Sequence, residues 1–314
     1  MKIIYLDQNQ WVNLARVWYK KQESTYDLIS EIKEKIKNDE LRIALSFVNI
    51  REALKQKNED KRKKLINFML DLSQGHTISP YREWVKNIEI WNALARKVNI
   101  PERENYIFGR GFSGLFGAKA TIQGNLSEEV KRAMLERVDS LDSMRLVLTN
   151  PKTAARYYSL EPDKDLLDKI EKARKSERSH SDKNINNKVV MARFMIDFII
   201  PELIKFTLEN NLSKNAVIDF GDKPEDKKDE LIKLFQDMPS LYCFFCLDDR
   251  RNREMHRKIR ENDLNDIFSF AMAIPYCDIV VGEKMFSALA KQSKLDVLYN
   301  TKILSSIDEL KEAI

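Results

Sequence analysis

Six acidic residues stand where a fold of alternating strands and helices would bring distant carboxylates together: Asp7, Glu52, Asp263, Asp266, Asp278 and Glu283. Asp7 closes the β-branched and aromatic run KIIYL. Glu52 follows Ser46 by six residues, Asp263 and Asp266 share a helix face at i, i+3, and Asp278 and Glu283 flank a short apolar run, IVV. In an open α/β sheet, residues beyond the carboxyl ends of parallel strands converge on one crevice. Four or more carboxylates there would repel one another unless a divalent cation neutralised them, and oxygen ligands favour Mg²⁺ or Mn²⁺. Such ions lower the pKa of water towards neutrality and offset charge that grows on a phosphate, so no side-chain nucleophile is needed. Each acid also has a plainer reading. Asp7 could end a strand as a turn residue, Glu52 could be a solvated helix acid, and Glu283 could pair with Lys284. Asp263 could cap a helix N-terminus, a contribution of about 1 kcal/mol.

The elements that must position these acids are legible from periodicity. KIIYL predicts a central parallel strand over residues 2–6. Apolar residues at three- and four-residue intervals then predict two helices, before a second strand at Arg42–Leu45. Ser46 sits at the turn that follows, where its hydroxyl can cap the N–H of Val48 or Asn49. From about residue 59 to 239 helical patterns dominate: Asp60–Ser73, Tyr81–Val98, Ser127–Leu148, Asn187–Asn210 and Glu225–Gln236. Five of the eight glycines fall in 109–124, which predicts a flexible loop or tight turns without a Walker lysine; Ser176–Asn187 reads as a polar linker. Alternation returns near 240. A helix from about Leu241 runs into a basic stretch, a helix begins at ENDLND, strands are expected at Asp278–Val281 and Asp296–Leu298, and helices at Met285–Lys291 and Ser306–Ala313.

Composition narrows the function classes. Of 314 residues 43% are hydrophobic and 33% charged, with few Gly and Pro, which favours a helix-rich globular chain. The net charge of +5 is too small to argue for a polyanion partner by itself. Cys243, Cys246 and Cys277 read as reduced, core-facing thiols, and His76, His180 and His256 are too scattered for a metal cluster. No signal peptide or membrane span is evident, so a cytoplasmic protein is expected. Arg250, Arg253, Arg257 and Arg260 recur at helical spacing just before Asp263, and a helix bearing them could grip phosphates. Pairing with Asp248, Asp249, Glu254 and Glu261 is the alternative.

In four places the residues resemble the PIN-domain and PIN-like metal-dependent nucleases. IIYLDQN resembles that family's first strand and Asp, with Asn9 two residues on; LSFVNIREAL its serine-to-glutamate step; NDIFSFAMAI its helix headed by an acid; and DIVVGEKMF its strand ending in a final acid. The last departs from the pattern, with Gly282 in the usual Thr or Ser place and Glu283 or Asp278 as the acid. The resemblance implies a three-layer α/β/α fold with a central parallel sheet; the strand and helix patterns place it in residues 1–58 and 240–314, interrupted by a large all-α insertion at 59–239. It implies Mg²⁺ or Mn²⁺ held by Asp7, Glu52 and Asp266, with Asp263, Asp278 or Glu283 as further ligand or base, and Asn9 and Ser46 orienting carboxylate or water. It also implies phosphodiester hydrolysis, RNA favoured over DNA, with an antitoxin or a second copy as a possible protein partner. A phosphatase of the haloacid-dehalogenase kind fits less well, because Asn9 stands where a second Asp is wanted. The rival from another class is an inactive PIN-like module that binds nucleic acid or protein.

Overall fold

A computed structural model describes residues 1–20, 23–118, 121–158, 168, 171–172, 199–213, 228–254 and 257–314. Along the chain it runs β1 (Lys2–Leu6), α1 (Gln8–Lys20), α2 (Glu23–Lys37), β2 (Leu41–Ser46), α3 (Phe47–Leu54), α4 (Glu59–Ser73), β3 (His76–Ile78), α5 (Glu83–Lys97), β4 (Phe108–Arg110) and α6 (Gly111–Phe116). There follow α7 (Glu128–Val138), α8 (Leu141–Leu148), α9 (Pro151–Tyr158), α10 (Ile200–Glu209), α11 (Lys228–Gln236), α12 (Pro239–Arg253) and α13 (Glu261–Tyr276). The chain closes with β5 (Ile279–Val281), α14 (Lys284–Gln292), α15 (Leu295–Leu298), β6 (Lys302–Leu304) and α16 (Ile307–Lys311). Short polar side chains start many of these helices: Ser46, Asn58, Ser127, Ser140 and Ser306 each accept a backbone N–H of the first turn.

Two compact units result, one of residues 1–80, 106–162 and 265–314, the other of 81–105 and 163–264. The first holds a six-stranded sheet in the order β4-β3-β2-β1-β5-β6, parallel except for the β3–β4 pair. β1 lies at its centre, and Ile4, Leu6, Ile43, Leu45, Ile279 and Val281 join one apolar core with Trp11 and Leu14 of α1 and Ile66, Phe68 and Met69 of α4. Burial of such side chains stabilises by about 1.5–3 kcal/mol each. The second unit has its own core, in which Trp91 and Leu94 of α5 meet Leu203 and Phe206 of α10, Phe235 of α11 and Leu241 of α12. Cys243 is buried in α12, where the apolar surroundings push its thiol pKa up, as they do for Cys277.

Several expectations need correction. The segment expected to be wholly helical supplies β3 and β4, and the sheet unit takes in α4 and residues 106–158, whereas 240–264 fall in the other unit. In the glycine-rich stretch, α6 stands where a loop or tight turns were expected, and Gly111 and Gly114 within it pack closely. A Cβ on Gly114 would stand 2.2 Å from Thr77 Oγ1, and Gly111, with φ of +65°, would carry one 2.4 Å from Asp139. Ser127–Leu148 is two helices, broken where Ser140 caps the second. Leu295–Leu298 is a helical turn, and the edge strand is Lys302–Leu304. The linker at 176–187 and the first part of the helix expected at 187–210 lie outside the described residues. Among the described residues, no helix is long and apolar enough to cross a membrane.

Candidate active site at the carboxyl edge of the sheet

The strand order reverses at β1: the chain proceeds from β1 to β2 and β3 on one side, then returns to place β5 and β6 on the other. In open parallel sheets that reversal opens a crevice beyond the carboxyl ends of the two strands. Register decides who stands there. Leu6 pairs with Val281 and Tyr5 with Ala44, so Asp7, Ser46 and Gly282 end their strands at one level. The Asp7 N–H donates to Val281 O at 2.9 Å, and Gln10 Nε2 donates to Gly282 O at 3.3 Å, which ties the head of α1 to the end of β5.

Asp7 is 6% exposed, and its carboxyl is pushed up to about 6. Burial is the largest cause and the Glu283 carboxylate adds to it, against backbone N–H groups of Gln8 and Asn9 that favour the anion. Asn9 therefore contributes its backbone, while its side chain is exposed. Glu283 precedes α14 with no side-chain cap bond of its own. Among the described residues no lysine or arginine pairs with Asp7, and the neighbouring Gln8 Oε1 is buried without a hydrogen-bond partner. These oxygens suit a hard cation, since Mg²⁺ is held by one or two carboxylates and keeps several waters.

Ser46 does what its position predicted. Its Oγ accepts the Asn49 N–H at 3.1 Å, and Asn49 Oδ1 accepts from both Ser46 N and Oγ, closing a capping box. Asn49 Nδ2 also donates to Leu6 O, so this buried amide, unsuspected from sequence, fixes α3 to the end of β1. The signal was present as a polar residue three positions after the capping serine. Tyr5 is fully buried with its hydroxyl 3.5 Å from Ser46 Oγ, and it lies near Ser269, whose own Oγ is buried without a hydrogen-bond partner. Burial raises the Tyr5 pKa furthest, and Asp7 and Asp266 raise it further. Asp266, Ser269 and Phe270 share one face of α13 at i, i+3, i+4, and the Phe270 ring lies so close to Gly282 that a Cβ there would stand 2.0 Å from it. That face covers the ends of β1 and β5, which explains glycine where the resembled pattern has Thr or Ser. Glu52 lies in the second turn of α3, and its neighbour Arg51 donates Nη2 to Asn265 Oδ1, next to Asp266.

Asp7 and Glu283 thus stand at the carboxyl edge of the sheet, and Asp266 lies on the α13 face that reaches Tyr5. No family model, curated protein or solved structure matches this chain. The resemblance therefore rests on the quoted residues alone. Among the described residues, no group of three or more His, Cys, Asp or Glu is arranged to hold a metal ion.

Two expected acids are elsewhere. Asp278 precedes β5, so its Oδ2 accepts the Ile3 N–H at 2.6 Å at the amino edge of the sheet. The three residues of β5, at about 3.3 Å each, separate it from Gly282. Asp263, 1% exposed, is clamped within the second unit: Arg251 Nε donates at 3.0 Å, Arg257 Nη2 at 2.9 Å and the Arg260 N–H at 3.0 Å. It secures the start of α13, close to the plainer capping role.

The arginine helix is likewise not formed as expected. α12 ends at Arg253, Arg257 and Arg260 are in irregular chain, and Met255 lies outside the described residues. Arg253 pairs with Asp249 and Arg257 with Asp263. Arg250 is half-buried in the last turn of α12. Arg251, which the spacing passed over, is fully buried on Asp263.

Proposed function

We propose that this chain is a divalent-metal-dependent nuclease with a PIN-like three-layer α/β/α fold, hydrolysing phosphodiesters with RNA favoured over DNA. The observation that carries the reading is Asp7: a buried carboxylate, beside a second carboxylate, at the reversal point of a parallel sheet. Asp7 and Glu283 would hold Mg²⁺ or Mn²⁺, with Asp266 and Glu52 on the two helices nearest the crevice completing an oxygen-rich edge. A divalent ion there supplies charge neutralisation at the phosphate and a lowered pKa for water. The chain itself excludes bulk water with Phe270 and Tyr5, and steadies Asp7 through the backbone of Gln8 and Asn9.

A second reading has its own support. The want of a preformed three-residue metal group among the described residues favours an inactive PIN-like module that binds nucleic acid or protein. Incubation of purified protein with a mixed RNA pool separates the two: Mn²⁺-dependent cleavage, lost in Asp7→Asn, is the expected result. Retained cleavage in that variant, or none in the wild type at millimolar metal, would sink the nuclease reading.

A further inference from the structure

Arg51 and Asn265 leave two hydrogen-bond donors unused beside the candidate site. Arg51 Nη2 donates to Asn265 Oδ1. A guanidinium carries donors only, so this contact turns the amide oxygen towards Arg51 and leaves Nδ2 facing away. Arg51 Nε and Asn265 Nδ2 are both buried without a partner, and Asn265 is only 6% exposed. Arg51 forms no ion pair among the described residues. Buried polar atoms are seldom left unmade in folded proteins, and two on adjoining side chains, one of them cationic, suit an acceptor that is anionic.

The place of these donors says which anion. Arg51 precedes Glu52 on α3, and Asn265 precedes Asp266 on α13. Asn265 also lies one turn before Ser269, on the helix stripe that reaches Tyr5 at the carboxyl edge. An edge lined by Asp7 and Glu283 repels a phosphate unless something else attracts it. The guanidinium fork matches phosphate oxygens, and the Asn265 amide holds that fork in one orientation.

We propose that Arg51 and Asn265 form the phosphate-holding arm of the site, donating Nε–H and Nδ2–H to the non-bridging oxygens of a phosphodiester. That the phosphate belongs to a nucleic acid rests on the nuclease reading; that the arm takes a phosphate does not.

The test uses the full chain. Thermal unfolding of the metal-free protein is followed in rising inorganic phosphate against chloride at matched ionic strength, for wild type, Arg51→Gln, Arg51→Lys and Asn265→Ala. Phosphate should raise the wild-type Tm by mass action, with the rise lost in Arg51→Gln and reduced in the other two. In parallel, Mn²⁺-dependent cleavage of a short fluorescent single-stranded RNA should show KM raised about ten- to hundredfold in Arg51→Gln and Asn265→Ala, with kcat within a few-fold of wild type. If Arg51→Gln does not fold, Arg51→Lys and Asn265→Ala carry both measurements. A phosphate response lost in the variants, with no RNA cleaved by the wild type, keeps the arm and removes the nuclease. Cleavage that needs Asp7, with KM and phosphate response unchanged in the variants, overturns the arm and keeps the nuclease; Arg51 and Asn265 are then only a strut between α3 and α13.

Discussion

At Asp7 the cost of burying a charge competes with the N–H groups at the head of α1, and burial prevails. The folded-state pKa of about 6 lies above the ordinary 3.8, so the metal-free fold is favoured most with Asp7 protonated, below pH 3.8. That advantage is lost as pH rises through 6, and above it the ionised group costs up to about 3 kcal/mol. Asp7→Asn is therefore expected to melt higher than wild type at pH 7.5, with the gap closing by pH 4, in paired thermal scans without metal. Millimolar Mn²⁺ should reverse the order at pH 7.5, because only the wild type gains a ligand. Equal Tm values at both pH values would mean that Asp7 carries no buried charge. For Asp278 the expectation is the contrary: Asp278→Asn keeps an acceptor for the Ile3 N–H at the far edge, so metal-dependent cleavage should stay within about twofold of wild type. A drop as deep as that of Asp7→Asn would return Asp278 to the site.

The element that couples the two units' sequence segments is α13, whose first residues hold Asp263 and whose later face covers the crevice. Asp263 has both its oxygens engaged by Arg251, Arg257 and the Arg260 N–H. Removing one partner of a buried pair leaves an uncompensated charge, at a cost of roughly 3–5 kcal/mol. Asp263→Ala should lose stability of that order in urea titration while the folded fraction still cleaves RNA. A stable but inactive variant would assign Asp263 to catalysis instead.

For the whole molecule, the contact boundaries change what can be cut away. Excision of residues 59–239 removes Ile66, Phe68, Met69, Leu70 and Leu72 from the core around β1, and β3 and β4 from the sheet. The remaining 1–58 and 240–314, joined by a short linker, should show no cooperative melting transition in circular dichroism. A sharp transition from that joined chain would restore the segment to the status of a true insertion.

Local pattern alone determined much of this protein. The apolar run ending in Asp7, the serine cap three residues before Asn49, and the helix that carries Asp266 are each encoded within a short run of neighbouring residues, where periodicity and capping chemistry act. The tertiary structure alone decided which acids meet. A start of β5 at Ile279 sends Asp278 to one edge of the sheet and Glu283 to the other, and no local signal sets that boundary to a single residue. The partners of Asp263 and the loose donors of Arg51 and Asn265 depend on side chains far apart in the chain. In a sequence one-third charged, many such pairings are open until packing selects among them. The crevice itself exists because the chain crosses back past β1 after more than 200 residues, a choice made by the burial of the whole sheet rather than by any stretch of sequence.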